Sequence, residues 1–175
     1  MYRIMLADDE GIERRALRMQ LERTFPGITL LKAAENGIEL VESARANRPD
    51  IVLADIEMPG MNGMETARAL RKTDDSVLLI FVTNMAQYSI DGYEVDALDF
   101  ILKPVNKYSL AIKMERAAAR ISKRAEEYIA VKCEGETRQV EISSIRYLDI
   151  DGHYVVYHTV GGDLAEYGTL KDAYG

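Results

Sequence analysis

The sequence predicts a doubly wound α/β domain with a five-stranded parallel sheet, followed by a smaller all-β unit. Three observations predict it. Short apolar runs alternate with helical segments five times between residues 1 and 123, the grammar of a βαβ domain. Polar residues suited to handling phosphate follow four of those runs. After Arg124 the helical period stops, and short strand-like runs separated by glycine turns replace it.

The elements follow in order. Tyr2–Ala7, Ile28–Ala34, Ile51–Ala54, Val77–Val82 and Ala97–Leu102 are rich in Ile, Val and Leu, as parallel strands buried on both faces are. The segments between them carry apolar residues at helical spacing. Glu10–Arg23 places Ala16 and Leu17 one turn before Gln20 and Leu21, with arginines on the other side. Gly37–Ala46 carries Ile38, Val41 and Ala44, and Asn62–Lys72 carries Met64, Ala67 and Leu70. Ala86–Gly92 is shorter and more polar, and Asn106 to about Arg124 has a stripe of Leu110, Met114, Ala117, Ala118 and Ile121.

Beyond it, Tyr128–Cys133, Thr137–Ile142, Ile145–Asp149 and Tyr154–His158 read as strands. Glu134-Gly135 and Gly161-Gly162-Asp163 are the turn signals. The expected domains are residues 1–123, a linker at 124–127 that continues the last helix, and a β-rich unit at 128–175. A unit of about 50 residues is small for an independent core. A new helix is expected to begin at Leu170–Gly175, so the unit reads as the first part of a larger domain.

Composition narrows the function. Of 175 residues, 47% are apolar, which suffices for a core. The 29 acids and 22 bases give a net charge of −7, which does not advertise a nucleic-acid binder. Cys133 is the single cysteine, so an internal disulfide is excluded and a reduced thiol in a cytoplasmic protein is expected. No signal segment precedes the first strand, and no apolar run approaches the roughly 20 residues that span a bilayer.

A five-stranded sheet of this kind takes the order 2-1-3-4-5, with its site at the carboxyl ends of the strands. Asp8 and Asp9 then follow the first strand, Asp55 the third, Thr83 the fourth and Lys103 the fifth. The switch point brings Asp8, Asp9 and Asp55 into one crevice. Crowded carboxylates need positive charge between them. A hard divalent cation such as Mg²⁺ supplies it, and Lys103 adds more. An ionised Asp can attack a phosphoryl group, and the Thr83 hydroxyl can donate to a phosphoryl oxygen. Taken singly, Asp8-Asp9-Glu10 also fits a helix cap, Thr83 a cap and Lys103-Pro104 a loop. Asp55 resists such a reading, because a charge that ends Ile-Val-Leu-Ala is costly without partners.

These residues resemble the receiver domains of two-component response regulators, the CheY-like fold. The matching text is Leu6-Ala-Asp-Asp-Glu10, Val52-Leu-Ala-Asp-Ile-Glu-Met-Pro-Gly60 with Asn62-Gly63, Phe81-Val-Thr83 and Asp99-Phe-Ile-Leu-Lys-Pro104. The resemblance implies Asp55 as phosphoacceptor, Asp9 and Asp55 as direct Mg²⁺ ligands, the Glu57 backbone carbonyl as a further ligand, and Asp8 acting through water. It implies that Thr83 and Lys103 contact the phosphoryl group, that Phe100 is the aromatic that follows Thr83, and that Lys103–Pro104 is cis. A sensor histidine kinase is the implied phosphodonor, and a phosphorylation-dependent homodimer the implied output. Two positions depart from the pattern. Asn84 stands where a small residue often follows the switch Thr, and Phe100 stands where Tyr is frequent and so lacks a hydroxyl.

The β-rich unit resembles the beginning of a LytTR DNA-binding domain. Glu141-Ile-Ser-Ser-Ile-Arg-Tyr-Leu148, Asp151-Gly-His-Tyr-Val-Val156 and Tyr167-Gly-Thr-Leu-Lys171 carry that resemblance, which implies that His153 reaches DNA from a loop. Promoter DNA is therefore the implied partner of the longer protein. Residues 125–175 hold 10 acids against 4 bases, so weak or no DNA binding is expected of this chain alone. Two other readings compete: a receiver whose β-unit is a protein-interaction module, and an Asp-nucleophile phosphatase. The second expects its nucleophile within Asp-x-Asp at the first strand, whereas Asp8 and Asp9 are adjacent.

Overall fold

A computed structural model describes residues 2–84, 92–133 and 135–169. The chain divides into two compact units, Met1–Ala119 and Arg120–Gly175. The division falls inside the last helix, a few residues before the expected boundary at 123.

The first unit is a five-stranded sheet with helices on both faces. Its strands are β1 (Tyr2–Ala7), β2 (Ile28–Leu30), β3 (Ile51–Ala54), β4 (Leu78–Thr83) and β5 (Asp99–Leu102). They are ordered β2-β1-β3-β4-β5, and every pair is parallel. The order is the expected one. Strand β2 is shorter than its apolar run, because past Leu30 only an isolated bridge from Ala34 to Ala7 continues it.

Helices α1 (Gly11–Thr24), α2 (Gly37–Asn47), α3 (Gly63–Arg71) and α4 (Lys107–Glu127) fill the connections. A 3-10 turn spans Gly92–Val95. The expected helical segment at Ala86–Gly92 lies, but for Gly92, outside the described residues. Met5, Ala7, Val52, Ala54, Leu79 and Phe81 pack on one sheet face with Leu40, Val41, Met64, Ala67 and Leu70 of α2 and α3. The alternate residues Ile4, Leu6, Ile80 and Ile101 are buried on the other face, as are Leu17, Leu21, Leu110, Met114 and Ala117 of α1 and α4. Ile38, expected on the core side of α2, is 54% exposed. The buried stripe of that helix is Gly37, Leu40, Val41 and Ala44, which leaves Ile38 at its edge.

Two caps set the helix starts. The Asn36 side chain accepts from the Glu39 N–H at 2.9 Å. Asn62 and Glu65 form a reciprocal capping box, with bonds of 2.9 and 3.0 Å. Glu10, at the N-cap of α1, makes no such bond, so the acidic run there is not a side-chain cap.

The second unit holds a hairpin of β6 (Tyr128–Cys133) and β7 (Glu136–Glu141), and a three-stranded antiparallel sheet. That sheet is ordered β10-β9-β8 from β8 (Ile145–Asp151), β9 (Tyr154–Thr159) and β10 (Gly162–Tyr167). Val131, Val140, Val155 and Tyr157 form its small core. Strand β10 departs from the expectation, which took Gly161-Gly162-Asp163 as a turn and placed no strand after it. The helix expected from Leu170 lies outside the described residues. No helix among the described residues is long and apolar enough to cross a membrane.

Candidate functional site

Asp8 directly follows β1, Asp55 follows β3, Thr83 ends β4 and Lys103 follows β5. Parallel pairing aligns these ends. The Asp55 N–H donates to the Ala7 carbonyl at 2.8 Å, which sets Asp55 beside Asp8. The Lys103 N–H donates to the Thr83 carbonyl at 3.0 Å, which sets Lys103 beside Thr83.

Lys103 closes the site. Its ammonium donates to Asp55 Oδ2 at 2.6 Å and to Asp8 Oδ2 at 2.9 Å, and it also contacts Glu13 Oε2. The side chains of Lys103, Asp8 and Asp55 are only 5–6% exposed. The second oxygen of each Asp is held by the backbone two residues on. Asp8 Oδ1 accepts from the Glu10 N–H at 2.8 Å, and Asp55 Oδ1 accepts from the Glu57 N–H at 3.1 Å. Burial pushes the Asp8 carboxyl above its usual range, against the opposing pull of Lys103 and the Glu10 N–H. Burial works the other way on Lys103, yet its bonds to Asp55, Glu13 and Asp8 hold the ammonium above the usual lysine range.

Asp9 is exposed at the rim. Asp8, Asp9 and Asp55 each offer a carboxylate oxygen, and these atoms lie within 4.8 Å of one another. A set of clustered carboxylate oxygens is what hard divalent cations take, so the residues fit the metal that the sequence implied. The Glu57 side chain is exposed. Thr83 is fully buried. Phe100 is half-buried against Phe81, with ring centroids 5.2 Å apart. The Lys103–Pro104 bond is cis. His153 belongs to the second unit, where it is exposed in the turn between β8 and β9.

Glu13 and Arg14 were not picked out from the sequence. Arg14 donates to the Asp8 carbonyl through one amino group and to Glu35 Oε1 at 2.7 Å through the other. The available signal was position: both lie one turn beyond Asp9, on a helix whose start faces the crevice.

Comparison with known proteins agrees with this geometry. A family model described as the response regulator receiver domain matches residues 4–115. The sensory transduction protein LytT of Oceanobacillus iheyensis is 28% identical over 170 residues, covering 93% of this chain and 69% of the relative. The transcriptional regulatory protein BtsR of Escherichia coli is 26% identical over 170 residues, covering 90% of this chain and 70% of the relative. The crystal structure of response regulator TrrA from Thermotoga maritima, in complex with Mg²⁺-BeF, is 32% identical. It matches with a TM-score of 0.61 over 67% of this chain and 99% of that one. This chain spans between 43% and 70% of the length of the curated relatives it matches. With a matching model over more than half of its length and the matching fold, the chain belongs to the response regulator receiver domain family.

Proposed function

We propose that this chain is the phosphoacceptor part of a two-component response regulator, phosphorylated on Asp55 by a sensor histidine kinase. The observation that carries the reading is the convergence of Asp8, Asp55 and Lys103 at three strand ends, with Thr83 at a fourth. In this reading residues 1–123 form the receiver, 124–127 continue the last helix as a linker, and 128–175 begin a LytTR-type DNA-binding domain. The likeness to LytT and BtsR over both units supports that output.

An Asp55 carboxylate oxygen attacks phosphorus. The new O–P bond replaces the N–P bond of the donor phosphohistidine, whose imidazole leaves with the bonding pair. Asp8, Asp9, Asp55 and the Glu57 carbonyl would hold Mg²⁺, which when bound offsets the charge of the transferred group. Lys103 keeps Asp55 oriented before transfer and then holds a phosphoryl oxygen. The Thr83 hydroxyl turns toward another, and the Phe100 ring follows into the space Thr83 leaves. Phosphorylation thereby biases an existing equilibrium on the face of β5 and α4, and a homodimer is the expected consequence. The chemistry is confined to the chain itself: it takes up a phosphoryl group and releases it to water.

A second reading has its own observation. Tyr147, Asp149 and Asp151 of β8, Tyr154 and His158 of β9, and Asp163 and Tyr167 of β10 share one sheet face. The three tyrosines are 58%, 49% and 72% exposed, and among the described residues no Lys or Arg is paired on this face. Such a face suits a protein partner better than a phosphate backbone.

The test of the main reading is incubation with acetyl phosphate and Mg²⁺, followed by intact mass, beside Asp55→Asn. Gain of one phosphoryl group by the parent alone supports it. No gain in either overturns it and favours the protein-docking reading.

A further inference from the structure

We propose that Glu13 is an internal competitor for Lys103, holding the ammonium that a phosphoryl group on Asp55 would take. The inference rests on the reading of Asp55 as phosphoacceptor and adds a regulator of that site.

A lysine ammonium has three N–H donors and no acceptor. Lys103 meets three carboxylates, those of Asp55, Asp8 and Glu13. The ammonium hydrogen-bonds to Asp8 and Asp55 and meets Glu13 as an ion pair, so a phosphoryl oxygen closing on it displaces the carboxylate held least firmly. Asp8 is a poor candidate, because it is 5% exposed and its other oxygen is held by the Glu10 N–H. Asp55 carries the phosphoryl group and stays in place. Glu13 is 37% exposed, hangs from the first turn of α1 by a flexible side chain, and has solvent to return to. It is the carboxylate that costs least to release.

Both effects of Glu13 oppose phosphorylation. Its contact with Lys103 must be broken, and its charge repels the arriving anion. A glutamine here keeps a carbonyl oxygen for Lys103 but loses the attraction between two unlike charges, so it would hold the ammonium less firmly and would not repel the arriving anion. Glu13 thereby sets a threshold: the site is phosphorylated less readily than the same site without it. Lys103 is the cation that pairs with the carboxylates of both Asp8 and Asp55 among the described residues, so this contact acts where phosphoryl binding would be decided.

The experiment compares the parent chain, Glu13→Gln and Glu22→Gln. The last removes the same charge from the same helix, two turns farther from the site. Each is titrated with beryllofluoride in excess Mg²⁺, followed by ¹⁹F NMR, and separately treated with acetyl phosphate and scored by intact mass. Glu13→Gln is expected to bind beryllofluoride and to gain phosphoryl about 2–5 times more readily, in line with a partly exposed ion pair. Glu22→Gln should track the parent. If the parent gains phosphoryl and Glu13→Gln matches it or falls below it, the competitor role is overturned while the phosphoacceptor reading stands. If Glu22→Gln rises as much as Glu13→Gln, overall charge is the cause and the contact is not. If the parent neither binds beryllofluoride nor gains phosphoryl, both readings fail together.

Discussion

Gly63 stands so close to Asp55 that a Cβ on it would lie 2.3 Å from the Asp55 carbonyl oxygen and 2.7 Å from the Ile56 Cα. Both clashes are with backbone, which cannot swing aside. The first turn of α3 therefore rests directly on the chain that presents Asp55, and the Gly63 N–H donates to the Ile56 carbonyl at 2.9 Å. The Asn62–Glu65 capping box fixes that turn from the other side.

Gly63→Ala should push α3 off this loop. The expected cost is about 1–3 kcal/mol, as for overpacking in a filled interior, read as a lower urea midpoint with unchanged slope. Phosphorylation of Asp55 by acetyl phosphate should slow in parallel. A variant with the parent's midpoint would mean that the loop gives way freely.

Lys103→Met should leave the buried carboxylates of Asp8 and Asp55 without their shared cation. Breaking a buried pair from one side costs about 3–5 kcal/mol. Added Mg²⁺ should restore more stability to this variant than to the parent, because the metal replaces the missing positive charge. Thermal melts with and without Mg²⁺ check this, and equal metal-induced shifts in both proteins would count against it.

Asp99 offers a pH test away from the site. It accepts from Lys113 at 2.7 Å and Arg116 at 2.8 Å, and its side chain is 12% exposed. Burial raises its carboxyl, but the bonds to Lys113, the Phe100 N–H and Arg116 win, and the group is held below its usual range. The unfolded chain therefore binds this proton more readily than the folded one. The stabilisation is present above the ordinary aspartate value, near pH 4, and is lost as pH falls through the lower folded value. Asp99→Asn should cost about 1–2 kcal/mol at pH 7 and little near pH 2. Urea melts at the two pH values measure the difference.

The β-rich unit should not carry DNA by itself. With 10 acids against 4 bases in residues 125–175, the electrostatic part of DNA affinity is missing. A gel shift at low salt should show no sequence-specific complex for this chain, and a tight specific band would refute the expectation.

The parallel sheet and its site were legible because the signals are local. Leu6-Ala7 gives way to Asp8, Leu53-Ala54 to Asp55, and Ile101-Leu102 to Lys103, so the strand ends and the polar residues coincide in the text. What was missed depends on distant partners. Strand β10 reads Gly-Asp-Leu-Ala-Glu-Tyr, too polar to announce itself, and exists by pairing with β9. The far half of the β2 run lies at a sheet edge with one neighbour, so apolar content did not extend it. Glu13 and Arg14 look like ordinary polar residues of a first helical turn, and only the arrival of residue 103 gives Glu13 its role.

That arrival has a consequence for how the molecule is made. The Lys103 bonds bridge 95 residues to Asp8 and 48 to Asp55. A nascent chain that has released the first three strands from the ribosome already holds every acidic group of the crevice, but not its counterion. Until the fifth strand docks, the crevice lacks the ammonium that bridges Asp8 and Asp55. With Asp55 as the proposed phosphoacceptor, a chain that ends before Lys103 lacks the ammonium that would hold a phosphoryl oxygen.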